Sequence, residues 1–347
     1  MTTGDATADL RRPLLEWLLL KYPDTPRKRA KEWIQAGRVT VNGTIIQRPH
    51  ERMLDPQESL QLLARRAALL DLGPGGWGIH PRVTVLHLDT ALAIVDKGPG
   101  LLAVPSYPGE LSALSILGDV LSGKLPARDR ALIAKALPPS YRQMRPMPVH
   151  RLDQYTSGVF CIAMNPAARQ RLIEQLKQHT MRREYVAYVE GRPTTPTGTW
   201  RNWLQLSPDE FRQFVLSAGA AKAAGEEAQE AITHYEVIRE FVLAGGDQVV
   251  TKLRLRLETG RKHQIRVQAA WAGLPLLGDQ TYHPRYQEHS GRQPLIEFPR
   301  QALHAEVLGL EHPDKPGQRV SWTAALPKDM SQLEDELRHR AKTERAR

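Results

Sequence analysis

The sequence predicts a mixed chain of helices and strands in two domains, and three observations carry this prediction. Residues 10–65 combine two amphipathic helical patterns with a strong hairpin turn. Residues 66–82 form a Gly/Pro-rich linker. Residues 83–328 contain short apolar or alternating runs typical of strands. With 347 residues, the chain is long enough for one large domain and one small one.

Capping and turn signals define the first elements. Residues 12–21 are predicted to form a helix with one apolar face. Thr25-Pro26 suits the cap and first position of a second helix, which Gly37 ends. Residues 38–41 alternate like a strand, and Asn42-Gly43 is a hairpin turn before the next strand.

This helix–helix–hairpin with a basic face resembles the small RNA-binding domain that carries the alpha-L motif. The chain has a formal net charge of +10 and a pI near 9.8, which favours a polyanionic partner. The resemblance implies that RNA phosphates meet a basic cluster formed by Arg27, Lys28, Arg29, Lys31 and Arg38. An ordinary solvated helix face is the alternative.

The linker contains a formal nucleotide-binding pattern that we reject. Its Gly73-Pro74-Gly75-Gly76-Trp77-Gly78 fits G-x-G-x-x-G, but that fingerprint must open a helix, and His80-Pro81 follows instead. No Cys/His spacing suggests a zinc site. The single cysteine, Cys161, lies in an apolar run and is predicted to be a core residue.

Apolar runs and capping residues also predict the elements after the linker. Strands are predicted at 83–88, 92–95, 159–163, 185–189 and 249–257, the last with basic residues on one face. Asn165-Pro166 predicts the start of a helix that reaches about residue 178. Residues 106–147 are predicted to be an insertion with one or two helices, and residues 329–347 a charged tail in a frayed helix.

The densest cluster of functional side chains is His150-Arg151-Leu152-Asp153-Gln154-Tyr155-Thr156-Ser157-Gly158. It immediately precedes the predicted core strand 159–163, and polar loops on such a scaffold often hold catalytic groups. Stabilisation of a turn is the alternative. A serine hydrolase is excluded, because its nucleophile elbow needs G-x-S-x-G between a strand and a helix.

The nine-residue cluster resembles the signature of RluA-type RNA pseudouridine synthases, and further blocks follow in that family's order. These blocks are Arg183 to Gly191, Glu258 to Val267 with its Gly-Arg-Lys-His-Gln-Ile-Arg, Leu276-Leu277-Gly278-Asp279, and Leu303-His304-Ala305. One departure is Lys97-Gly98-Pro99-Gly100, where the family has Lys-Pro-x-Gly. The resemblance implies an α+β catalytic domain with a mixed, mainly antiparallel sheet, flanking helices and a central cleft.

The resemblance also implies the roles of individual residues. Asp153 is the expected nucleophile or base, kept ionised by Arg266, while Tyr185 is expected to stack on the target uracil. Arg151 is expected to fill the place that the flipped base leaves or to hold the displaced backbone, and His150 to orient the loop. The remaining residues expected to contact the substrate are Ile265, Arg261 and Lys262.

The predicted function is the isomerisation of uridine to pseudouridine in RNA, with ribosomal RNA as the first substrate and transfer RNA as the second. No atom is gained or lost, so no cofactor and no metal are expected. We expect a monomer in the cytoplasm with no membrane segment. The alternatives are a non-catalytic RNA-binding or ribosome-assembly protein that kept the fold and, less favoured, a metal-dependent nuclease.

Overall fold

The computed structural model describes residues 12–35, 39–42, 44–46, 53–54, 57–62, 76–124, 139–243, 248–286 and 295–345. The chain folds into two compact units. One consists of Met1–Asp71 with Ala131–Ser140, and the other of Leu72–Arg130 with Tyr141–Arg347. The boundary after residue 71 falls inside the range predicted to be a linker.

The described residues of the N-terminal unit form two helices and two small sheets. Its elements are β1 Arg12–Pro13, α1 Leu14–Lys21, α2 Arg27–Gln35, β2 Val39–Val41, β3 Thr44–Ile46, β4 Met53–Leu54 and β5 Leu60–Leu62. β1 pairs with β4, while β3, β2 and β5 form an antiparallel sheet. Asn42 has a left-handed φ of 51° between β2 and β3, which suits the predicted hairpin turn. Strand β5 was not predicted.

Helix α1 begins later than predicted, because Arg12 and Pro13 pair with β4 and the helix starts at Leu14. Its buried leucines pack against Ala30 and Ile34 of α2. Burial of this apolar surface contributes roughly 25 cal/mol per Å² to folding. Within the basic cluster of this unit, Arg27, Lys28 and Arg29 are exposed and Lys31 is half-buried, while Arg38 lies outside the described residues.

A 12-stranded, mainly antiparallel sheet forms the framework of the larger unit. Its strands are β6 Trp77–His80, β7 Val83–Leu88, β8 Leu92–Lys97, β9 Met147–Pro148, β10 Ser157–Ala163, β11 Arg182–Glu190, β12 Thr197–Leu206, β13 Gln213–Leu216, β14 Gln229–Val242, β15 Val249–Leu257, β16 Leu303–Glu311 and β17 Arg319–Thr323. Their order is β13-β12-β14-β15-β11-β16-β10-β8-β7-β6, with β9 beside β10 and β17 beside β16. β10 and β16 pair in parallel. The implied α+β fold is confirmed.

Five helices accompany this sheet within the described part of the unit: α3 Ala113–Ser122, α4 Pro166–Lys177, α5 Ala218–Ala224, α6 Gln264–Trp271 and α7 Lys328–Arg345. The α4 cap is confirmed, since the Asn165 side chain accepts the Ala168 N–H and Pro166 occupies the first helical position. None of the described helices is both long and apolar enough to cross a membrane.

The two faces of β11 contact different parts of the larger unit. Tyr188 packs against Phe241 on one face and belongs to a buried core cluster that also contains Met330 and Leu333 of α7. Tyr185 lies three residues earlier and therefore belongs to the opposite face, because side chains alternate along a strand. Cys161 is fully buried in β10, so its predicted core position is confirmed.

Two predicted segments differ from the structure. Trp77–His80 falls in the range 66–82 predicted to be a linker, yet it forms edge strand β6, paired with β7. The tail 329–347 was expected to be a frayed helix, yet Met330, Leu333 and Leu337 of α7 are buried in the core. Its many charged residues obscured a narrow apolar stripe at i, i+3 and i+7.

Candidate active site

The loop before β10 carries Asp153, and local backbone contacts shape it. The Thr156 N–H donates to the Asp153 carbonyl oxygen at 3.1 Å and closes a turn. Gly158 then has a φ of +114°, and a Cβ there would lie 2.1 Å from the Ala305 carbonyl oxygen. Only glycine fits this approach of β10 to β16. These two features set the path of the backbone that carries Asp153.

Two buried basic side chains, Lys97 and Arg300, donate to the carbonyls of the residues that follow Asp153. Burial lowers the pKa of Lys97 to about 7. Lys97 Nζ donates to the Gln154 carbonyl oxygen at 2.9 Å. Arg300 donates to the Tyr155 carbonyl oxygen at 3.0 Å, and its charge is paired with Asp329. A buried charge is costly unless its hydrogen bonds are satisfied, so these contacts restrain the loop strongly. Sequence reasoning missed both supports.

Arg266 joins two carboxylates. Its Nη1 donates to Asp153 Oδ2 at 3.1 Å, while Nε and Nη2 donate to the two oxygens of Asp279 at 2.7 and 2.9 Å. Burial disfavours the charge of the guanidinium, but the hydrogen bonds and charge of Asp279, with those of Asp153, outweigh it and raise the pKa of Arg266. The Asp279 side chain is 1% exposed and that of Asp153 is 20% exposed. One carboxylate anchors the guanidinium and the other remains accessible.

His263 lies beside the other oxygen of Asp153. Its Nε2 is 3.9 Å from Asp153 Oδ1, too far for a hydrogen bond, and its Nδ1 pairs with the Tyr282 hydroxyl at 3.0 Å. Burial lowers the pKa of His263 to about 4 despite the attraction of Asp153, so the ring is neutral at pH 7. Its φ of +53°, at the start of α6, is a strained value for a residue other than glycine.

A cavity of about 630 Å³ opens beside Asp153. Tyr185, Leu257, Ile265 and Leu303 provide apolar parts of its wall. The Tyr185 residue is 7% exposed, and burial raises its pKa, so its hydroxyl is neutral. A flat ring and an accessible carboxylate in one cavity suit a planar base attached to a sugar.

The two residues at the start of the cluster differ in exposure. His150 Nε2 accepts the Cys161 N–H at 3.1 Å, and burial followed by the charge of Arg183 lowers the pKa of His150 to about 3. His150 is therefore a neutral side chain tied to β10. Arg151 is exposed and lines the cavity.

Arg261 and Lys262 form part of the cavity rim. Arg261 Nε donates to the Glu230 carbonyl oxygen at 3.1 Å, and Lys262 Nζ donates to the Glu210 carbonyl oxygen. Among the described residues, neither cation has a carboxylate within salt-bridge distance. Both charges are therefore available to an anionic ligand.

The structure brings one set of predicted residues together around this cavity: Asp153, Tyr185, Arg266, His150, Arg151, Ile265, Arg261 and Lys262. Sequence reasoning assigned no role to Asp279 or His263, although both lie inside the motif blocks that it identified. Their position in those blocks was the available signal.

One group of described side chains has the residue types of a metal site. Ligand atoms of His87, Asp89 and His312 lie within 4.8 Å of one another. Asp89 Oδ2 instead pairs with His312 Nε2 at 2.7 Å and His87 Nε2 at 3.1 Å. The Asp314 N–H donates to His312 Nδ1, which places the proton of the neutral ring on Nε2, where a metal would bind. We therefore interpret the group as a structural hydrogen-bond cluster.

Comparison with known proteins identifies the family of this chain. A sequence model of the RNA pseudouridylate synthase family matches residues 91–271, and a model of the S4 domain matches residues 12–53. The chain belongs to the RNA pseudouridine synthase family. The synthase is 33% identical to ribosomal large subunit pseudouridine synthase D of Yersinia pestis, over 96% of this chain and 93% of that protein. It is 32% identical to the Escherichia coli protein of the same name, over 91% and 88%.

A solved structure gives the same result for the fold. The synthase superposes on human RNA pseudouridylate synthase domain containing 4 with a TM-score of 0.52 and 20% identity, covering 73% of this chain and 92% of that one. The protein is thus an RNA-modifying isomerase with an S4 RNA-binding domain.

Proposed function

We propose that the synthase isomerises specific uridines in ribosomal RNA and that Asp153 acts on the target nucleotide. The observation that carries this proposal is the accessible Asp153 carboxylate, 3.1 Å from the Arg266 guanidinium, at a cavity lined by Tyr185. The guanidinium donates a hydrogen bond to this carboxylate and so orients it, and the reaction needs the carboxylate as a nucleophile or a base.

The cavity suits a nucleotide that has left the RNA stack. A stacked uridine cannot bring its glycosidic bond to a recessed carboxylate, so the base must flip into the cavity. Tyr185 then provides a flat wall for the uracil, and such stacking is worth roughly 1–3 kcal/mol per base. Exposed Arg151 would offset part of the unstacking cost, which is a few kcal/mol, by occupying the vacated position.

RNA outside the cavity would meet basic side chains. Arg261 and Lys262 have charges available for phosphates at the rim. In the S4 unit, Arg27, Lys28 and Arg29 are exposed on one helix. Contacts of this kind position the RNA and carry little sequence information. The choice of uridine is therefore expected to depend on RNA shape near the cavity.

Ribosomal RNA is the first proposed substrate, because relatives aligned over most of the chain are named for the large ribosomal subunit. Transfer RNA is the second. We also propose that the synthase acts as a monomer in the cytoplasm. Pseudouridines mapped by chemical derivatisation, in RNA from cells with and without this protein, will identify the uridine. Changes confined to transfer RNA would reverse the order of substrates.

The role of Asp153 is tested by substitution. RNA labelled with tritium on uracil C5, taken from cells lacking the protein, should release tritium to water with the wild-type synthase. Asp153→Ala should release none and still bind RNA, because the group that attacks or removes a proton is gone. Asp314→Ala is the matched control, since Asp314 is exposed and paired with Arg171. Release by Asp153→Ala at the wild-type rate would exclude Asp153 from the chemistry.

The same assay separates an enzyme from an RNA-binding protein that kept the fold. If the wild type binds RNA but releases no tritium from any cellular RNA, the non-catalytic alternative is correct.

A further inference from the structure

We propose that Arg183 is a further catalytic residue, which stabilises the negative charge that the uracil carries while it is detached from the ribose. This inference rests on the isomerisation proposed above and adds a group that acts on the base and not on the sugar.

Arg183 belongs to the cavity by its position in β11. It lies two residues before Tyr185 and therefore on the same face of the strand. Both residues line the cavity, together with Leu257 of the neighbouring strand β15. Arg183 is only 6% exposed, so a ligand that reaches it must have entered the cavity. The ring of a flipped uracil that lies along Tyr185 is such a ligand.

The charge of Arg183 has no counterion within the described residues. Three arginines there are almost fully buried, namely Arg183, Arg266 and Arg300. Arg266 is paired with Asp279 and Asp153, and Arg300 with Asp329. Arg183 has no carboxylate at salt-bridge distance, and burial lowers its pKa. A buried, unpaired guanidinium costs free energy, and an anion in the cavity would remove that cost.

The hydrogen bonds that Arg183 donates come from one nitrogen of its guanidinium, Nη2. Nη2 donates to the carbonyl oxygens of Glu258 at 2.8 Å and Thr259 at 3.3 Å, while Nε is buried without a partner. A Cβ on Gly260 would lie 2.5 Å from Nη1. The glycine of the Gly-Arg-Lys-His block therefore leaves the space that Nη1 occupies, and Nη1 remains available to a ligand.

The isomerisation produces an anionic uracil in the cavity that Arg183 lines. When the bond between uracil N1 and ribose C1′ breaks, its electron pair stays on the ring and spreads over N1, O2 and O4. Ribose C1′ is left electron-poor, or bonded to an oxygen of Asp153, until the ring has turned. C5 then donates an electron pair to C1′, any C1′–oxygen bond to Asp153 breaks and returns its pair to the carboxylate, the C5 proton leaves and N1 takes a proton. The base is neutral before and after these steps and anionic between them. Addition of a carboxylate to the base would also send electrons into the ring.

A cation that interacts more strongly with the intermediate than with the neutral base accelerates the reaction and adds little to binding. Removal of one preorganised group of this kind typically lowers kcat by about 10²–10³-fold. Arg183→Gln should therefore slow single-turnover tritium release by about that factor and change the Kd for RNA by less than about twofold. Arg183→Lys, which keeps the charge, should recover part of the rate.

Arg182→Gln is the matched control. Arg182 is adjacent in sequence, but it is exposed on the other face and paired with Glu184. Its loss should leave both quantities unchanged. Wild-type release by Arg183→Gln would overturn the inference, whereas absence of release by the wild type would overturn the proposed function instead.

A change of substrate distinguishes catalysis by Arg183 from a purely structural role, in which Arg183 only holds the Glu258–Thr259 backbone. Fluorine on C5 withdraws electrons and stabilises the detached ring without help from the protein. Consumption of 5-fluorouridine, in a transcript that carries the mapped uridine, can be followed by nucleoside mass spectrometry in a single turnover. Arg183→Gln should slow its consumption much less than that of uridine. An equal factor for both substrates would show that Arg183 only supports the loop.

Discussion

A single guanidinium organises the acidic part of the site. Arg266 reaches accessible Asp153 with one nitrogen and buried Asp279 with two. Bidentate pairing determines the orientation of the guanidinium plane as well as its position. Asp279 also accepts the backbone N–H groups of Thr281 and Tyr282, so the anchor is itself fixed. The result is a preorganised partner for Asp153 that does not depend on substrate binding.

Asp279→Asn tests this anchor. Removal of one partner of a buried ion pair is expected to lower the free energy of unfolding by about 3–5 kcal/mol, because the Arg266 charge loses its closest counterion. The rate of tritium release should also fall, since Arg266 can then leave Asp153. Urea denaturation at pH 7 and single-turnover assays measure the two effects. Asp314→Asn, in an exposed pair with Arg171, should cost less than about 1 kcal/mol; similar losses for both variants would contradict the anchoring role.

At the scale of elements, the junction of β10 and β16 positions the loop that carries Asp153. The two strands pair in parallel only at Ser157 with His304 and at Gly158 with Ala305. Ser157 Oγ also pairs with His304 Nδ1 at 3.0 Å, inside the sheet. The loop that carries Asp153 therefore leaves the sheet where two strands from distant parts of the chain are held together. Its position depends on how closely their backbones approach.

Gly158→Ala should disrupt this junction. The added Cβ would overlap the Ala305 carbonyl oxygen, at a φ that other residues rarely adopt, so the free energy of unfolding should fall by at least about 2 kcal/mol. Gly219→Ala is the control, because Gly219 lies in α5 with no atom within 4 Å of the new Cβ. That change should stabilise the protein by about 0.5–1 kcal/mol. Comparable thermal melting of the two variants would exclude the close approach.

Excess positive charge is a property of the whole molecule, with 48 basic against 38 acidic residues. Many exposed arginines of the larger unit are neutralised locally, for example Arg192 by Glu240 and Arg254 by Glu236. The exposed basic residues at the start of α2 have no acidic residue in their own first turn. Charge that can attract RNA is therefore present on the S4 unit as well as at the cavity rim.

Combined substitution of Arg27, Lys28 and Arg29 by Gln should weaken RNA binding and flatten its dependence on salt. The slope of log K against log salt should decrease in magnitude by about 0.7–0.9 for each phosphate that the variant no longer neutralises. Fluorescence anisotropy between about 50 and 200 mM salt measures this slope. The same substitution of Arg192, Arg201 and Arg254, which are exposed but paired with glutamates, is the control. An unchanged slope in the first variant would place the RNA-binding charges elsewhere.

Local sequence patterns predicted several elements of the fold and several residues of the candidate site. The family blocks identified Asp153, Tyr185 and Arg266 as neighbours of one site, and capping and turn residues predicted α2, α4 and the first hairpin. These features depend on residues close together in the chain, where spacing is informative. The tail was correctly predicted to be helical, but its packing in the core was not predicted, because its apolar stripe is narrow and lies among many charged residues.

The sequence by itself determined the family, the residue types of the site, and the two helices and first hairpin of the N-terminal unit. Only the tertiary structure decided which side chains support Asp153 and its loop: Asp279 behind Arg266, and Lys97 and Arg300 at the loop carbonyls. It also placed Arg183 in the cavity wall, with no carboxylate at salt-bridge distance in the described part of the chain. The physical reason is distance along the chain. Arg266 meets Asp153 across 113 positions, and Arg300 meets Tyr155 across 145, so no local pattern of residues can encode either contact.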